Sequence, residues 1–343
     1  MSDGFIVALI TTYNRPELLK IQALNSVKSQ SLQPNQVVLV DNSDEKTILE
    51  TNKQNFQELF PNGIYLKNGG FPSAAGTWNF GLKYINENYP DSWTAILDDD
   101  DEWLENHLQN NSPYMTDYDV VLGGIRTILD GKPIEERNSK NLTIEEIFST
   151  NPGWQGSNTF MRTKTIIEAG SFDESLLCTH DRDLAIRVLS IPVIRIIGTG
   201  ITSVNYYLDN ARESLTLSKS RGKHTGLLQF YAKHSHLMNQ EDKINFISRA
   251  NFFGLDKEIF SIIDKQNDEK GFPHLSKQPK TKLGKIIKNT NWRTKQSWWR
   301  FRNRPIMTKI IGRQFTRSRS KIEIDLTYEC NLKCHGCNRS CRQ

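Results

Sequence analysis

The stretch Thr94-Ala95-Ile96-Leu97 is a short apolar run that feeds directly into four successive aspartates, Asp98 to Asp101, and then Glu102-Trp103. A run of this length and character reads as a buried strand. Four like charges beside a buried strand repel one another, and they stay ionised only with water or a cation close by. A hard divalent ion meets that need, because Mg²⁺ or Mn²⁺ takes carboxylate oxygens and leaves positions free for phosphate. A solvated acidic turn is the other reading of such a run. Its place at the C-terminal end of a strand, where open α/β sheets bind ligands, favours the cation site.

The chain before this stretch builds the sheet that would hold it. Phe5 to Ile10 reads as a first strand, too short and without the basic flank of a signal peptide. Thr11-Thr12-Tyr13-Asn14-Arg15-Pro16 follows, with a proline suited to the first turn of a helix. Leu18, Leu19, Ile21, Leu24 and Val27 then fall at helical spacing, and Val37 to Val40 is a second strand ending at Asp41. Strand, helix, strand implies a parallel sheet with a right-handed crossover. Asp41 would lie at its ligand edge, as a partner for a base or ribose or as a helix cap. Ile64 to Leu66 is a third strand. The small residues between Asn68 and Asn79 allow a ligand to approach backbone, or make an ordinary loop.

Beyond the aspartates, Val120 to Gly124 is a further strand, Gly131 and Pro133 mark a turn, and Ile144 to Phe148 is a short helix. A polar loop over Gly153 to Asn158 precedes the strand Thr159 to Met161, and Thr163 to Ala169 is a helix closed by Gly170. In His180-Asp181-Arg182-Asp183, the apolar positions 184, 185, 188 and 189 that follow share one helical face, which sets Asp181 at the helix start. Val193 to Ile197 and Ser203 to Tyr207 read as two more strands, and helical periodicity runs from about Leu227 to Ile263.

Taken in order, Thr12 to Pro16, Val40-Asp41-Asn42-Ser43, the Asp98 to Asp101 cluster, Phe172-Asp173-Glu174 and the His180 to Leu184 segment resemble the family 2 glycosyltransferases of GT-A fold. The likeness covers roughly residues 4 to 215. It implies an α/β, Rossmann-like, mostly parallel sheet flanked by helices, and the helical periodicity beyond it reads as an extension over 216–270. It also implies an inverting transfer of a sugar from a nucleoside diphosphate, most simply a UDP-sugar, to an acceptor hydroxyl. Thr12, Tyr13, Asn14, Arg15, Asp41 and Asp98 would bind the donor, with Asp41 on the base. Asp98 and Asp100 would hold Mg²⁺ or Mn²⁺, although Asp99 and Asp101 compete for those places. Asp181 would be the catalytic base. His180 stands where many members have Glu, and could tune Asp181, touch the acceptor or lie on the surface. Arg187 reads as a surface arginine, or as support for the helix or the diphosphate. Arg212 to Thr216 matches the family's polar loop over the phosphates. A glycan, a lipid-linked glycan or a peptide could accept the sugar, and a domain that binds nucleotide without turnover is the competing reading.

Charge and cysteines divide the chain. Residues 271–343 hold 18 Lys and Arg against 3 acids, which leaves 26 basic and 36 acidic residues in the body before them. The tryptophan-bearing basic stretch over 271–320 reads as a linker, with a lipid-surface contact next and nucleic acid not expected. No run of apolar residues approaches a membrane span, and with no signal peptide read at the N-terminus the cytoplasm is the expected compartment. Four of five cysteines crowd into the C-terminal segment, a spacing that argues for metal and against disulfides. Ile322 to Cys337 resembles the opening of a radical SAM enzyme, with Cys330, Cys334 and Cys337 in its CxxxCxxC spacing. That likeness implies a [4Fe–4S] cluster and S-adenosylmethionine in a longer bifunctional fusion, of which 321–343 would be the start. A zinc site closed by Cys341 and unliganded thiols are the alternatives.

Overall fold

The structure is a computed structural model, and it describes residues 4–138, 142–208, 221–269, 315–317 and 322–324. Ile6–Thr12 forms β1, buried along its whole length because both faces of the sheet are covered. The predicted helix after Pro16 forms as α1 (Pro16–Leu18), a π-helical stretch over Leu19–Leu24 and α2 (Asn25–Lys28). β2 (Gln36–Asp41) follows, then α3 (Lys46–Leu59), β3 (Ile64–Lys67) and α4 (Ala74–Asn88). The sequence reading missed α3. It buries only Asn52 and Phe56, a stripe too thin to register as amphipathic periodicity.

β4 (Trp93–Asp98) brings in the acidic run, and β5 (Glu102–Trp103) leaves it. After α5 (His107–Asn111) come β6 (Val120–Leu129) and β7 (Lys132–Arg137), a hairpin whose turn has Asp130 and Gly131 at positive φ. α6 (Ile144–Ser149), β8 (Thr159–Arg162), α7 (Thr163–Glu168) and α8 (His180–Leu189) complete the predicted order. The two expected strands after α8 are one long strand, β9 (Ile196–Leu208), which runs parallel to β6 with its register shifting near Gly124. The periodic segment beyond forms α9 (Arg221–His234), α10 (Gln240–Phe252) and α11 (Lys257–Glu269).

Among the described residues, nine strands make one sheet in the order β3-β2-β1-β4-β8-β6-β9-β5, with β7 on β6. The half from β3 to β4 is parallel, as expected. Beyond β4 the sheet is mixed, because β8 runs antiparallel to both β4 and β6. The strand order reverses at β1 between β2 and β4, which is where an open sheet presents its ligand crevice. α4 packs directly over this point. A Cβ at Gly81 would fall on Leu9 and Val40 of β1 and β2, so only glycine permits the approach. One apolar cluster joins Val7, Ile96 and Leu122 of the sheet to Leu227, Phe230, Phe246 and Phe260 of the three following helices. A small separate pair, β10 (Phe315–Arg317) against β11 (Ile322–Ile324), is antiparallel. Cys330, Cys334, Cys337, Cys341 and the Arg212 to Thr216 loop lie outside the described residues, so the iron–sulfur and phosphate-loop expectations have no counterpart to be read here.

Candidate active site

The four aspartates divide into two kinds. Asp99 and Asp101 are buried, at 1% and 3% exposure, and their carboxylates serve the fold. Asp99 accepts from the Thr12 hydroxyl at 2.7 Å and the Tyr13 N–H at 3.2 Å, and Arg15 Nη2 lies 2.6 Å from its other oxygen. Asp101 accepts from the Ser157 hydroxyl at 2.5 Å and the Tyr207 N–H at 3.2 Å, tying the turn to the loop before β8 and to β9. Asp98 and Asp100 keep open surface. Asp98 Oδ1 accepts from Trp78 Nε1 at 3.1 Å and Thr11 at 3.3 Å, while Asp100 meets Arg15 Nη1 at 2.5 Å. The burial alternates: 98 and 100 keep exposed surface, and 99 and 101 are buried.

Burial, then the charges of Asp100 and Asp99, push the Asp98 carboxyl up to about 7. Such a site disfavours its own negative charge until a cation arrives. Asp98 Oδ2 accepts no hydrogen bond among the described residues, and it faces Gly156, where a Cβ would stand 3.0 Å away. Among the described residues, no three or more His, Cys, Asp or Glu side chains are placed to hold a metal ion together. The donor set fits a cation all the same, since Mg²⁺ commonly takes one or two carboxylates and completes its shell with substrate phosphate and water.

At the neighbouring edge, Asn14 is in the left-handed region at φ 54° and links two loops. Its N–H donates to Ser43 Oγ at 2.9 Å, and its side-chain carbonyl accepts from the Asp44 N–H at 3.3 Å. Tyr13 stays exposed, with its hydroxyl on Asp44. Asp41 sits at the end of β2 beside Thr12, as expected, but at 0% exposure. It accepts from the Ser43 N–H, Asn52 Nδ2 and the Tyr65 hydroxyl, each at 2.8 Å. A contact between Asp41 and a base would need an accessible oxygen, and neither oxygen is accessible here. The carboxylate instead fixes the loop edge formed by Asn42 and Ser43.

Asp181 opens α8, half-buried. Asn151 Nδ2 donates to its Oδ2 at 3.1 Å, and the Arg182 N–H donates to Oδ1 at 2.8 Å. Thr179 just before it holds φ 64°, an unfavourable conformation for a β-branched residue and one that clusters at functional sites. His180 is buried, which overturns its surface reading. Its Nε2 is 3.0 Å from the Leu176 carbonyl, and its ring stands edge-on to Trp78 at 5.8 Å. Arg187 is buried too, in ion pair with Asp183 at 2.7 Å, so it supports the helix and is not a surface arginine. Trp78 joins the two halves of the site. Its indole N–H holds Asp98 while its ring packs on Phe172 at 4.5 Å and on His180. Trp78, Asn151 and Ser157 went unassigned in sequence, because an indole, an amide and a hydroxyl carry no spacing that announces a role.

Residues 7–173 match the family model described as Glycosyl transferase family 2. No curated protein sequence matches the chain. Among solved structures, the mannosyltransferase PcManGT from Pyrobaculum calidifontis, in complex with GDP-Man and Mn²⁺, is similar at TM-score 0.50 and 12% identity, over 91% of this chain and 85% of that one. S. aureus TarS 1-349 in complex with UDP-GlcNAc has TM-score 0.47 and 16% identity, over 93% of this chain and 96% of that one. A longer S. aureus TarS chain has TM-score 0.46 and 15% identity over 78% of this chain, which spans 54% of its length. At these identities PcManGT speaks for the fold, which is GT-A-like. The match to the Glycosyl transferase family 2 model thus lies on residues 7–173, within a chain whose fold is GT-A-like.

Proposed function

We infer that this domain transfers a sugar from a nucleoside-diphosphate donor to an acceptor hydroxyl, with inversion. The observation that carries the reading is the pair of outward carboxylates, Asp98 and Asp100, joined through Trp78 to the helix that presents Asp181. Asp98 and Asp100 would hold Mg²⁺ or Mn²⁺, and the ion would neutralise the diphosphate as it leaves. The Mn²⁺ named with PcManGT is consistent with that choice. Thr12, Tyr13, Asn14 and Arg15 line the donor edge. Arg15, now on Asp99 and Asp100, supplies a guanidinium suited to a phosphate oxygen. Asp41 would act through the Asn42–Ser43 edge that it fixes. A UDP-sugar is the donor we favour.

Asp181 would take the proton from the acceptor hydroxyl while the oxygen attacks the anomeric carbon. The bond from that carbon to the diphosphate oxygen breaks, and its electron pair leaves with the diphosphate. A single displacement of this kind inverts the carbon. The Asn151 and Arg182 N–H bonds hold the carboxylate in one orientation, and its half-buried position leaves it reachable.

Calorimetric titration of UDP, GDP, CDP and dTDP, with and without Mn²⁺, tests the donor site. One nucleotide should bind in a metal-dependent way, and Asp100→Ala should abolish that binding. A folded chain that binds none of the four would sink the reading. Asp181→Asn should lower kcat by about 10²–10⁴ while leaving nucleotide affinity within about twofold. Transfer at the wild-type rate would remove Asp181 as the base.

A further inference from the structure

Arg15 is held in a way that a simple clamp between loops does not require. Asp99, buried at the turn after β4, already ties that turn to the end of β1. The Thr12 hydroxyl and the Tyr13 N–H both donate to its Oδ2. Arg15 adds two contacts to the same carboxylate, Nε at 3.2 Å from Oδ2 and Nη2 at 2.6 Å from Oδ1. Its third nitrogen, Nη1, reaches the neighbouring Asp100, 2.5 Å from Oδ2. The main chain at Arg15 is fixed as well. Asn14 before it sits at φ 54°, Pro16 after it opens α1, and the Arg15 carbonyl accepts from the Leu19 N–H at 3.0 Å. Two-point pairing of a guanidinium with a carboxylate sets the orientation of the guanidinium as well as its place.

Burial separates the two carboxylates by task. Asp99 is 1% exposed, whereas Asp100 keeps exposed surface and Arg15 is half-buried. Nε and Nη2 are thus taken up by a buried partner, and Nη1 stands at a carboxylate that would hold the cation. Mg²⁺ or Mn²⁺ on Asp98 and Asp100 would complete its shell with phosphate oxygen. That oxygen belongs on the side of Asp99 to which Nη1 reaches. Asparagine at position 99 could not hold the arginine in this way. Whichever way it lay, its amide N–H would meet an Arg15 nitrogen that also donates.

We propose that Asp99 is a positioning residue for the donor's diphosphate. It holds Nε and Nη2 of Arg15 so that Nη1 is presented to a phosphate oxygen beside Asp100. Asp99 itself touches no part of the donor. The inference rests on the transferase reading, which supplies the diphosphate. Adjacent aspartates then do different work, Asp98 and Asp100 on the cation and Asp99 on the arginine.

The test compares UDP with uridine in the presence of Mn²⁺, by calorimetry and ligand-observed NMR. Where GDP, CDP or dTDP is the nucleotide bound, it is compared with its own nucleoside. Asp99→Asn should weaken the diphosphate about tenfold and leave the nucleoside within about twofold. Arg15→Gln should lose as much. Adding Asp99→Asn to it should weaken the diphosphate by less than about a further twofold, because the two act through one contact. Arg15→Lys keeps the charge without the fork, so it should bind the diphosphate almost as poorly as Arg15→Gln. It serves if Asp99→Asn does not fold. Mn²⁺ alone, followed by electron paramagnetic resonance, should bind Arg15→Gln no more weakly than wild type, since the loss lies at the phosphate. The proposal is overturned if Asp99→Asn binds the diphosphate like wild type. Equal weakening of nucleoside and diphosphate also overturns it, since Asp99 would then only clamp the loop. It falls too if the two substitutions add in full, if Arg15→Lys binds like wild type, or if Arg15→Gln loses Mn²⁺. A folded wild-type chain that binds no diphosphate sinks the transferase reading and this one with it. Diphosphate binding that these substitutions leave unchanged sinks this one alone.

Discussion

His107 is uncharged in the folded chain, and its surroundings explain why. It is fully buried, stacked on Trp103 at 4.6 Å, with Nδ1 2.9 Å from the Ser203 hydroxyl and Nε2 3.3 Å from Asn111 Nδ2. Burial with no acid beside it pushes the imidazole down to about 3. A group whose pKa falls on folding binds more protons when unfolded, so stability drops as pH falls below about 6.5. The slope from His107 alone is about 1.4 kcal/mol per pH unit down to pH 3. Asp98 and Asp99, both raised to about 7, contribute in the opposite sense, gaining stability as pH falls from 7. The histidine effect is therefore read by difference. Denaturant unfolding of wild type and His107→Gln at pH 7 and pH 5 should show the gap between them closing by about 2 kcal/mol at the lower pH. An unchanged gap would mean that His107 is protonated without cost. At this scale the sequence showed which aspartates exist and what they could bind. It did not show which faced outward, because that depends on partners such as Ser157 and Tyr207, distant in the chain.

α8 owes its place to charges brought from another element. Asp183 lies at 0% exposure, paired with Arg187 of its own helix and with Lys233 and His234 of α9. Lys233 also meets Asp173 at 2.6 Å. Burial alone would raise Asp183, but Arg187 and Lys233 hold it well below the carboxylate range. Removing one member of a buried pair leaves the other uncompensated, at a cost of about 3–5 kcal/mol. Lys233→Met should destabilise the chain by that order in urea, and the loss should persist in high salt, since buried pairs are weakly screened. Gly226 makes the same contact steric. A Cβ there would fall on Cys178 Sγ and lie 2.8 Å from the Cys178 N–H nitrogen, two residues before His180. Gly226→Ala should therefore cost about 1–3 kcal/mol and lower kcat, by moving the segment that leads to Asp181. The elements themselves were largely legible, because strand and helix periods mark β1, β2, β4 and α8 directly. Their joints were not. His180 and Arg187 are polar residues on a helix, and only the packing of α9 and Trp78 makes them interior.

At the scale of the molecule, the expected boundary near residue 215 falls within one apolar core. Leu227, Phe230, Tyr231, Phe246 and Phe260 belong to the same buried cluster as Leu184 and Val188 of α8 and Trp154 before β8. Arg182 adds a cation–π contact to Phe230 at 4.5 Å. The sequence suggested a separate extension because its periodicity is helical throughout, whereas the domain before it alternates strand and helix. Periodicity reports what an element is, and not which surface it covers. We therefore expect residues 4 to 269 to fold as one cooperative unit. A chain ending at 208 would expose the faces that these five side chains cover, each worth about 1.5–3 kcal/mol of burial, against a total stability of only about 5–15 kcal/mol. It should bind the dye ANS, lose near-ultraviolet dichroism and unfold without a sharp transition, while the full chain unfolds in a single step over this region. Nucleotide binding should disappear with the fixed structure, because Trp78 rests on Phe172 and His180, and both belong to the face that α9 secures. If the shortened chain keeps a sharp transition and binds nucleotide with Mn²⁺, the helices after α8 are an appendage to a domain that folds without them.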